Sequence, residues 1–374
     1  LFFYSLAGER HRNSVLLVAS IIFYAWGEPK YLLVMLLTIF ISYATACLLD
    51  RFRRFALLIL IFGMALDLSQ LLYYKYFNFL VTNLNLLFDS HVDFVKVALP
   101  IGISFYTFQA LSYVIDVYRR EVPAETDLHR VALYIALFPQ LVAGPIVKYH
   151  DIASSLGHRE VTPDSFCEGI RRFLIGLGKK VLIANNLGLV ADRIFETEVA
   201  MVDTPLAWLG ALCYSLQIFY DFSGYSDMAI GLGMMFGFRF LENFNYPYIS
   251  SSITEFWRRW HISLSTWMKQ YLYIPLGGNR RGLRRTCINL MIVFLFTGAW
   301  HGAEWTFILW GLWHGFFIVM EKLTGFDKPR GGIVLMIIRH ALTLFIVLIG
   351  WVFFRAENLP AALDYIKNLF GLID

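Results

Sequence analysis

Four stretches of this sequence, residues 31–49, 97–115, 131–147 and 204–220, contain no Asp, Glu, Lys or Arg. Each comes close to the ~17–25 residues that cross a ~30 Å hydrocarbon layer as a helix. One water-soluble core cannot bury several such runs. Composition agrees: 58% of the residues are hydrophobic, 17% aromatic and 16% charged, and the mean hydropathy is +0.58. A soluble domain of ordinary make-up carries about 45–50% apolar and about 25% charged residues. The expected fold is all-α, a polytopic integral membrane protein. A β-barrel would show ~10-residue segments of alternating polarity, whereas the runs here are continuous. Trp26, Tyr31, Tyr73, Tyr74 and Trp208 lie near run ends, where aromatic side chains anchor helices at the membrane interface.

The net charge of +4 is modest and reads as a bias of cytoplasmic loops, not as nucleic-acid binding. "DRFRR" (50–54) and "RRGLRR" (280–285) are the expected cytoplasmic loops. Residues 82–93, without Lys or Arg, and the largely acidic 191–203 are expected outside. The run 131–147 has basic residues on both sides (Arg130; Lys148, Arg159, Arg171, Arg172) and contains Pro139, Gly144 and Pro145. A re-entrant dip fits it better than a full crossing, because irregular backbone at that depth survives only inside protein or against a water-filled cavity. Cys47, Cys167, Cys213 and Cys287 form no CxxC pair, so neither a disulfide framework nor a metal site is expected. No cleavable signal is recognisable. No repeat or low-complexity tract divides the chain, which reads as a single domain over 1–374.

Residues 254–275 form a basic amphipathic pattern. Phe256, Trp260, Leu264, Trp267 and Tyr271 make one stripe, with Arg258, Ser265 and Lys269 opposite and His261 toward the boundary. Such a helix is expected in the membrane interface, ended by Pro275, Gly277 and Gly278. Between Arg285 and Glu321 the only formal charge is Glu304. A single helix there would be about 50 Å long, too long for one crossing. It must break, and Gly298, Gly302 and Gly311 mark the candidate places.

A helix rising from Arg285 would carry His301 roughly 24 Å up, past the midplane. An intramembrane ionisable residue is a functional-site hypothesis, and imidazole suits proton transfer near neutral pH. The alternative is a structural hydrogen bond to a neighbouring helix. Glu304 shares the His301 face if the helix is unbroken there. It then either orients His301 or pairs with a basic residue of another helix. His314 is turned away from that face and reads as structural. Asp116, Asp221 and Asp227 read as helix caps or ion-pair partners. "PLGGNRRG" lacks the GxxxxGK[ST] pattern, so its arginines are expected to set topology.

Five blocks together resemble the membrane-bound O-acyltransferase family: "LPIGISFYTFQALSYVIDVYR", "FPQLVAGPIVKY", "YDFSGYSDMAIGLGMMFGFRFLENFNYPY", "SITEFWRRWHISLSTWMKQYLYIPLGGNRRG" and "GAWHGAEWTFILWGLWHG". With "RNSVLLVASIIFYAWGEPKYLLVMLL" they are similar to the branch that serves bacterial alginate O-acetylation. The resemblance implies a ring of tilted membrane helices, with re-entrant and interfacial helices, around a thinned centre. It implies a multi-pass protein of the bacterial inner membrane. It places the essential His at His301 and a second catalytic position at His261. His301 is expected to act as general base and His261 to position the donor or help stabilise developing charge. Acetyl-CoA is the expected cytoplasmic donor, with no bound cofactor. A periplasmic acetyltransferase-type partner and an exopolysaccharide are the expected acceptors. Members of this branch begin upstream and continue further, so the chain is expected to lack native residues at both ends. A proton-coupled transporter or flippase would also use intramembrane His and Glu, but no second half echoes 286–320. A non-catalytic membrane scaffold would tolerate loss of His301.

Overall fold

The computed structural model describes residues 1–89, 92, 97–327 and 332–372, and among these there is no β-strand. The expected external segment 82–93 lies partly outside the described residues; its first part closes a helix at Phe88. Five helical segments are long and apolar enough to cross a membrane: Pro29–Arg51, Arg53–Phe88, Pro163–Glu196, Gly282–His301 and Ile333–Arg355. Only 22% of the most apolar window of Arg53–Phe88 is buried. Leu58 and Phe62 are each 67% exposed. Side chains of that kind are stable on such a surface only against lipid. The chain is a multi-pass membrane protein. The described residues group into two compact units, one of 1–174 with 226–241 and one of 175–225 with 242–374.

In the first unit, α1 (Glu9–Gly27), α2 (Leu32–Arg51), α3 (Ala56–Leu71) and α4 (Ile103–Arg119) are the main helices. α2, α3 and α4 pack on one another, burying Met35, Ala46, Leu49, Tyr106, Ala110 and Tyr113. One buried carboxyl in that contact is partly paired: Ser42 Oγ donates to Asp67 Oδ2 at 3.2 Å.

The run 131–147 does not span. α5 (Leu128–Ala136) is capped by Asp127 and has nine residues, about 13 Å of rise. After the four-residue α6 (Phe138–Leu141) the chain returns, largely buried and without helix, to α7 (Tyr149–Gly157). The two ends of the dip meet, because the Tyr149 hydroxyl donates to Glu125 Oε2 at 2.9 Å. Gln140 Nε2 donates to the Tyr134 carbonyl at 2.9 Å, inside the loop. This is the re-entrant geometry expected from the flanking charges. α8 (Pro163–Gly178) opens the third crossing segment, and α9 (Thr204–Met235) follows it.

The second unit departs from expectation at 254–275. Instead of one helix there are two, α10 (Ile253–Arg259) and α11 (Ile262–Met268), broken at Trp260–His261. The five-residue stripe Phe256, Trp260, Leu264, Trp267 and Tyr271 is buried throughout, each residue at most 9% exposed. It faces protein, with Trp260 against Trp351 at 4.8 Å between ring centroids. α10 starts where its free N–H groups find acceptors. Ser252 Oγ accepts from Glu255 N, and Glu321 accepts from Ile253 N at 2.5 Å and Thr254 N at 2.8 Å. A carboxylate at a helix N-terminus satisfies both the orphan donors and the dipole.

α12 (Gly282–His301) and α13 (Trp305–Thr324) form a tight hairpin, followed by α14 (Ile333–Arg355) and α15 (Leu359–Leu369). Of the three glycines expected to break the run, only Gly302 does so. Gly298 and Gly311 lie inside helices and let the backbones touch. A Cβ on Gly298 would lie 2.3 Å from the Phe307 carbonyl oxygen, and one on Gly311 2.3 Å from that of Phe294. Small residues at such crossings are how membrane helices gain van der Waals contact. Replacing Gly298 by Ala is therefore expected to destabilise the protein by about 1–3 kcal/mol. Gly27→Ala, where the added methyl meets nothing within 4 Å, should be close to neutral. Thermal denaturation of the detergent-solubilised variants checks both.

Candidate active site

His301 is the last residue of α12, placed at the apex of the hairpin, with Gly302 as C-cap. Its ring is half-buried among three aromatic edges: Trp300 at 4.9 Å, Trp310 at 4.9 Å and Phe354 at 5.1 Å. Because the chain leaves the helix at Gly302, the three-residue spacing to Glu304 no longer sets a shared face. Glu304 is instead the N-cap of α13, exposed, and makes no side-chain capping bond. The pairing of His301 with Glu304 depended on an unbroken helix, and the hairpin removes it.

His261 sits at the break between α10 and α11 with φ +43°. Left-handed backbone costs a non-glycine residue of order 1–3 kcal/mol and persists where neighbours over-determine it. Here residues 243–245 run beside the break. Ile262 N donates to the Asn243 carbonyl at 2.9 Å and Asn245 N to the Arg259 carbonyl at 2.9 Å. The side chain is fixed as firmly. Asn243 Oδ1 accepts from Ser263 N at 3.2 Å, and a backbone N–H can only donate, so this atom is the amide oxygen. His261 Nδ1, 3.1 Å from the same oxygen, must then carry the ring proton. Nε2 is left as the acceptor nitrogen, buried and without a hydrogen-bond partner among the described residues. Burial disfavours the imidazolium and pushes the group down to about 3. The neutral ring, lone pair outward on Nε2, is therefore the resting form.

Trp300 contacts both histidines, 6.1 Å from the His261 ring and 4.9 Å from His301. Phe222 closes the other side of His261 at 4.7 Å. His314 belongs to a different environment. It is fully buried, boxed by Trp257 and Trp310, each at 5.3 Å, with Phe256 stacked at 6.3 Å. Neither ring nitrogen has a hydrogen-bond partner among the described residues. Its ring meets Trp310, which separates it from His301.

A cavity of about 380 Å³ is lined by residues near in sequence to both histidines, though neither histidine is in its lining. Thr297, one turn before His301, and Leu264, one turn after His261, form part of its wall. Arg258, Lys269 and Lys322 add positive charge to the lining, and Asp327, 3.8 Å from Lys322, adds a negative one. Arg258, Ser265 and Lys269 were the polar side of the amphipathic pattern, and all three line this space. Of the Gly-rich loop it is Asn279 that reaches the cavity. Elsewhere, ligand atoms of Asp116, Glu121 and His150 lie within 4.8 Å of one another. These side chains have counter-charges: His150 Nδ1 is 3.2 Å from Asp116, its Nε2 3.1 Å from Asp151, and Arg119 is 3.9 Å from Glu121. Asp227 pairs with Arg172 at 2.6 Å and Asp221 with Lys180, the ion-pair roles expected of them.

Residues 24–353 match the membrane-bound O-acyltransferase family profile. The chain belongs to the membrane-bound O-acyltransferase family. It is 48% identical to the "Probable alginate O-acetylase AlgI" of Pseudomonas aeruginosa, over 98% of this chain and 71% of that protein. It is 36% identical to the peptidoglycan O-acetyltransferase of Helicobacter pylori, over 96% of this chain and 73% of the relative. A teichoic acid D-alanyltransferase of Bacillus subtilis is 29% identical over 61% of this chain and 60% of its own length. The protein is thus an O-acyltransferase of the membrane.

In this acyltransferase the residue that sequence reasoning missed is Asn243. Nothing in "ENFNYPY" marks it, since its partner lies 18 residues on across an irregular turn. Only the period of regular helices is legible at that range. Asn243→Leu removes the acceptor that fixes the His261 tautomer, and acyl transfer is expected to fall about a hundredfold. Asn243→Asp, which keeps an acceptor oxygen, should retain more activity than the Leu variant at equal membrane abundance. An acyl-transfer assay on membranes with matched protein levels checks the order.

Proposed function

We propose that this membrane O-acyltransferase moves an acetyl group from cytoplasmic acetyl-CoA toward a hydroxyl of an exopolysaccharide outside the bacterial inner membrane. The transfer is either direct or through a periplasmic acetyltransferase-type partner. The whole chain is read as one acyltransferase domain, since the family match runs through residues of both units. His301 is the general base: its imidazole takes the proton as the acceptor oxygen attacks the thioester carbonyl. The new C–O bond forms, the C–S bond breaks, and the thiol leaves with a proton. His261, with Nε2 as an acceptor, positions a donor or acceptor group beside it.

The observation that carries this reading is that both histidines contact Trp300, each one helical turn in sequence from a residue in the wall of a cavity. The cations Arg258 and Lys269 suit the phosphates of a coenzyme A donor. The named relatives act on different polymers, alginate, peptidoglycan and teichoic acid by their names. The 48% identity over nearly the whole chain favours the alginate-like exopolysaccharide.

His301→Ala is expected to lower polymer O-acetylation by about 10²–10⁴-fold with membrane abundance unchanged. His314→Ala empties an aromatic box, so its loss should be in thermal stability, with acetylation per folded molecule preserved. Both are read in cells lacking the native protein and complemented with each variant. Full acetylation by His301→Ala sinks the general-base role and turns attention to a scaffold or transporter.

A further inference from the structure

The first unit contains a second charged cavity that the acyl-transfer reading does not use. Its volume is about 230 Å³, several times the ~30 Å³ that a water occupies in the liquid. Arg10, Arg12, Asn13 and Arg159 line it, with Glu9 and His158.

Arg159 is 8% exposed and bound on three sides. Nε donates to the Tyr4 hydroxyl at 2.9 Å, and Nη1 to Asn13 Oδ1 at 2.6 Å and the Ser155 carbonyl at 3.0 Å. Its Nη2 is buried with no acceptor among the described residues, and so is Nε of Arg12. The two guanidinium groups lie over one ring, 5.5 and 5.6 Å from the Tyr4 centroid. Arg12 Nη1 reaches the Arg159 carbonyl at 3.4 Å. Like charges are thus gathered without compensation: among the described residues neither arginine has a carboxylate within 4 Å. Glu9, which also lines the cavity, lies 3.6 Å from His158, and Glu160 lies 3.8 Å from the same ring.

Two buried guanidinium N–H groups without acceptors cost far more than a hydrogen-bonded pair. An anion in the cavity would cancel the repulsion among Arg10, Arg12 and Arg159, which line it, and guanidinium matches phosphate geometry. The place says which phosphate. Arg159 stands four residues before Pro163, where a membrane-crossing segment begins, and Arg10 and Arg12 lie in the first turns of α1. By the positive-inside rule this is the cytoplasmic interface, the depth of phospholipid head groups. We propose that the cavity between Arg12 and Arg159 binds the phosphate of an anionic phospholipid of the cytoplasmic leaflet.

The test uses the full chain in neutral detergent, titrated with short-chain phosphatidylglycerol, its phosphatidylcholine counterpart and inorganic phosphate. Thermal denaturation is the readout. Arg159 also ties Tyr4, Asn13 and Ser155 together, so the informative variant is Arg12→Gln, outside the acyl-transfer site. Phosphatidylglycerol should raise the denaturation midpoint, with half-saturation moved roughly ten- to hundred-fold higher in Arg12→Gln. The same Arg12-dependent shift from inorganic phosphate alone supports the phosphate site and names a free phosphate as its occupant. A phosphatidylcholine shift as large as that of phosphatidylglycerol overturns the anionic-lipid assignment. No shift from any probe, or one undiminished in Arg12→Gln, overturns the site.

Discussion

The contact on which the second unit depends is backbone against backbone. The Phe307 carbonyl occupies the place where a side chain on residue 298 would begin, and the Phe294 carbonyl does the same at residue 311. With two glycines facing each other, α12 and α13 close to a distance no larger residue permits. In hydrocarbon, where burying apolar surface between helices gains little over lipid, such close packing is a main source of association. It has a chemical consequence. The hairpin fixes the height of its own apex, and His301 is the last helical residue before that apex. Trp310, one helical position before Gly311, is thereby set 4.9 Å from the His301 ring.

Buried polar atoms without partners occur in two settings, and the settings decide their meaning. Both nitrogens of His314 lack acceptors or donors, yet rings surround them, and a methyl on Gly350 would lie only 2.7 Å from Nε2. There is no room for a ligand, so the residue fills space among aromatics. The unpaired nitrogens of Arg12 and Arg159 belong to residues that line an open cavity. A cavity lined by cations invites an anion, whereas an unmet group in a full box is a cost carried by packing. His261 Nε2 is a third case, aimed by Asn243 and left as an acceptor beside Trp300.

Much of this was legible from residue types alone. Uncharged runs gave the membrane class, and the basic flanks of 131–147 with Pro139 and Pro145 gave the re-entrant dip. The acyltransferase family was legible from the motif blocks. What periodicity could not give was where a helix stops. The stripe from Phe256 to Tyr271 keeps helical spacing straight through His261, because both short helices bury the same face. The break is imposed from outside the stripe by the backbone of residues 243–245. The three glycines of the 286–320 run look alike in sequence, yet one ends a helix and two bring helices together. That difference is set by what packs opposite, which no local pattern encodes.

The two candidate histidines have different surroundings. His261 is pinned by a hydrogen bond that chooses its tautomer, in a backbone conformation that neighbours enforce. A residue meant to position a group gains from that rigidity, because a fixed acceptor loses little entropy on binding. His301 is framed by the edges and faces of Trp300, Trp310 and Phe354. Those aromatic contacts fix the place of the His301 ring. Thr297 in the cavity wall lies one turn, about 6 Å, below His301. On its other side the chain turns at once to the exposed Glu304 and Trp305. The imidazole thus lies between the Thr297 turn and the exposed turn at Glu304.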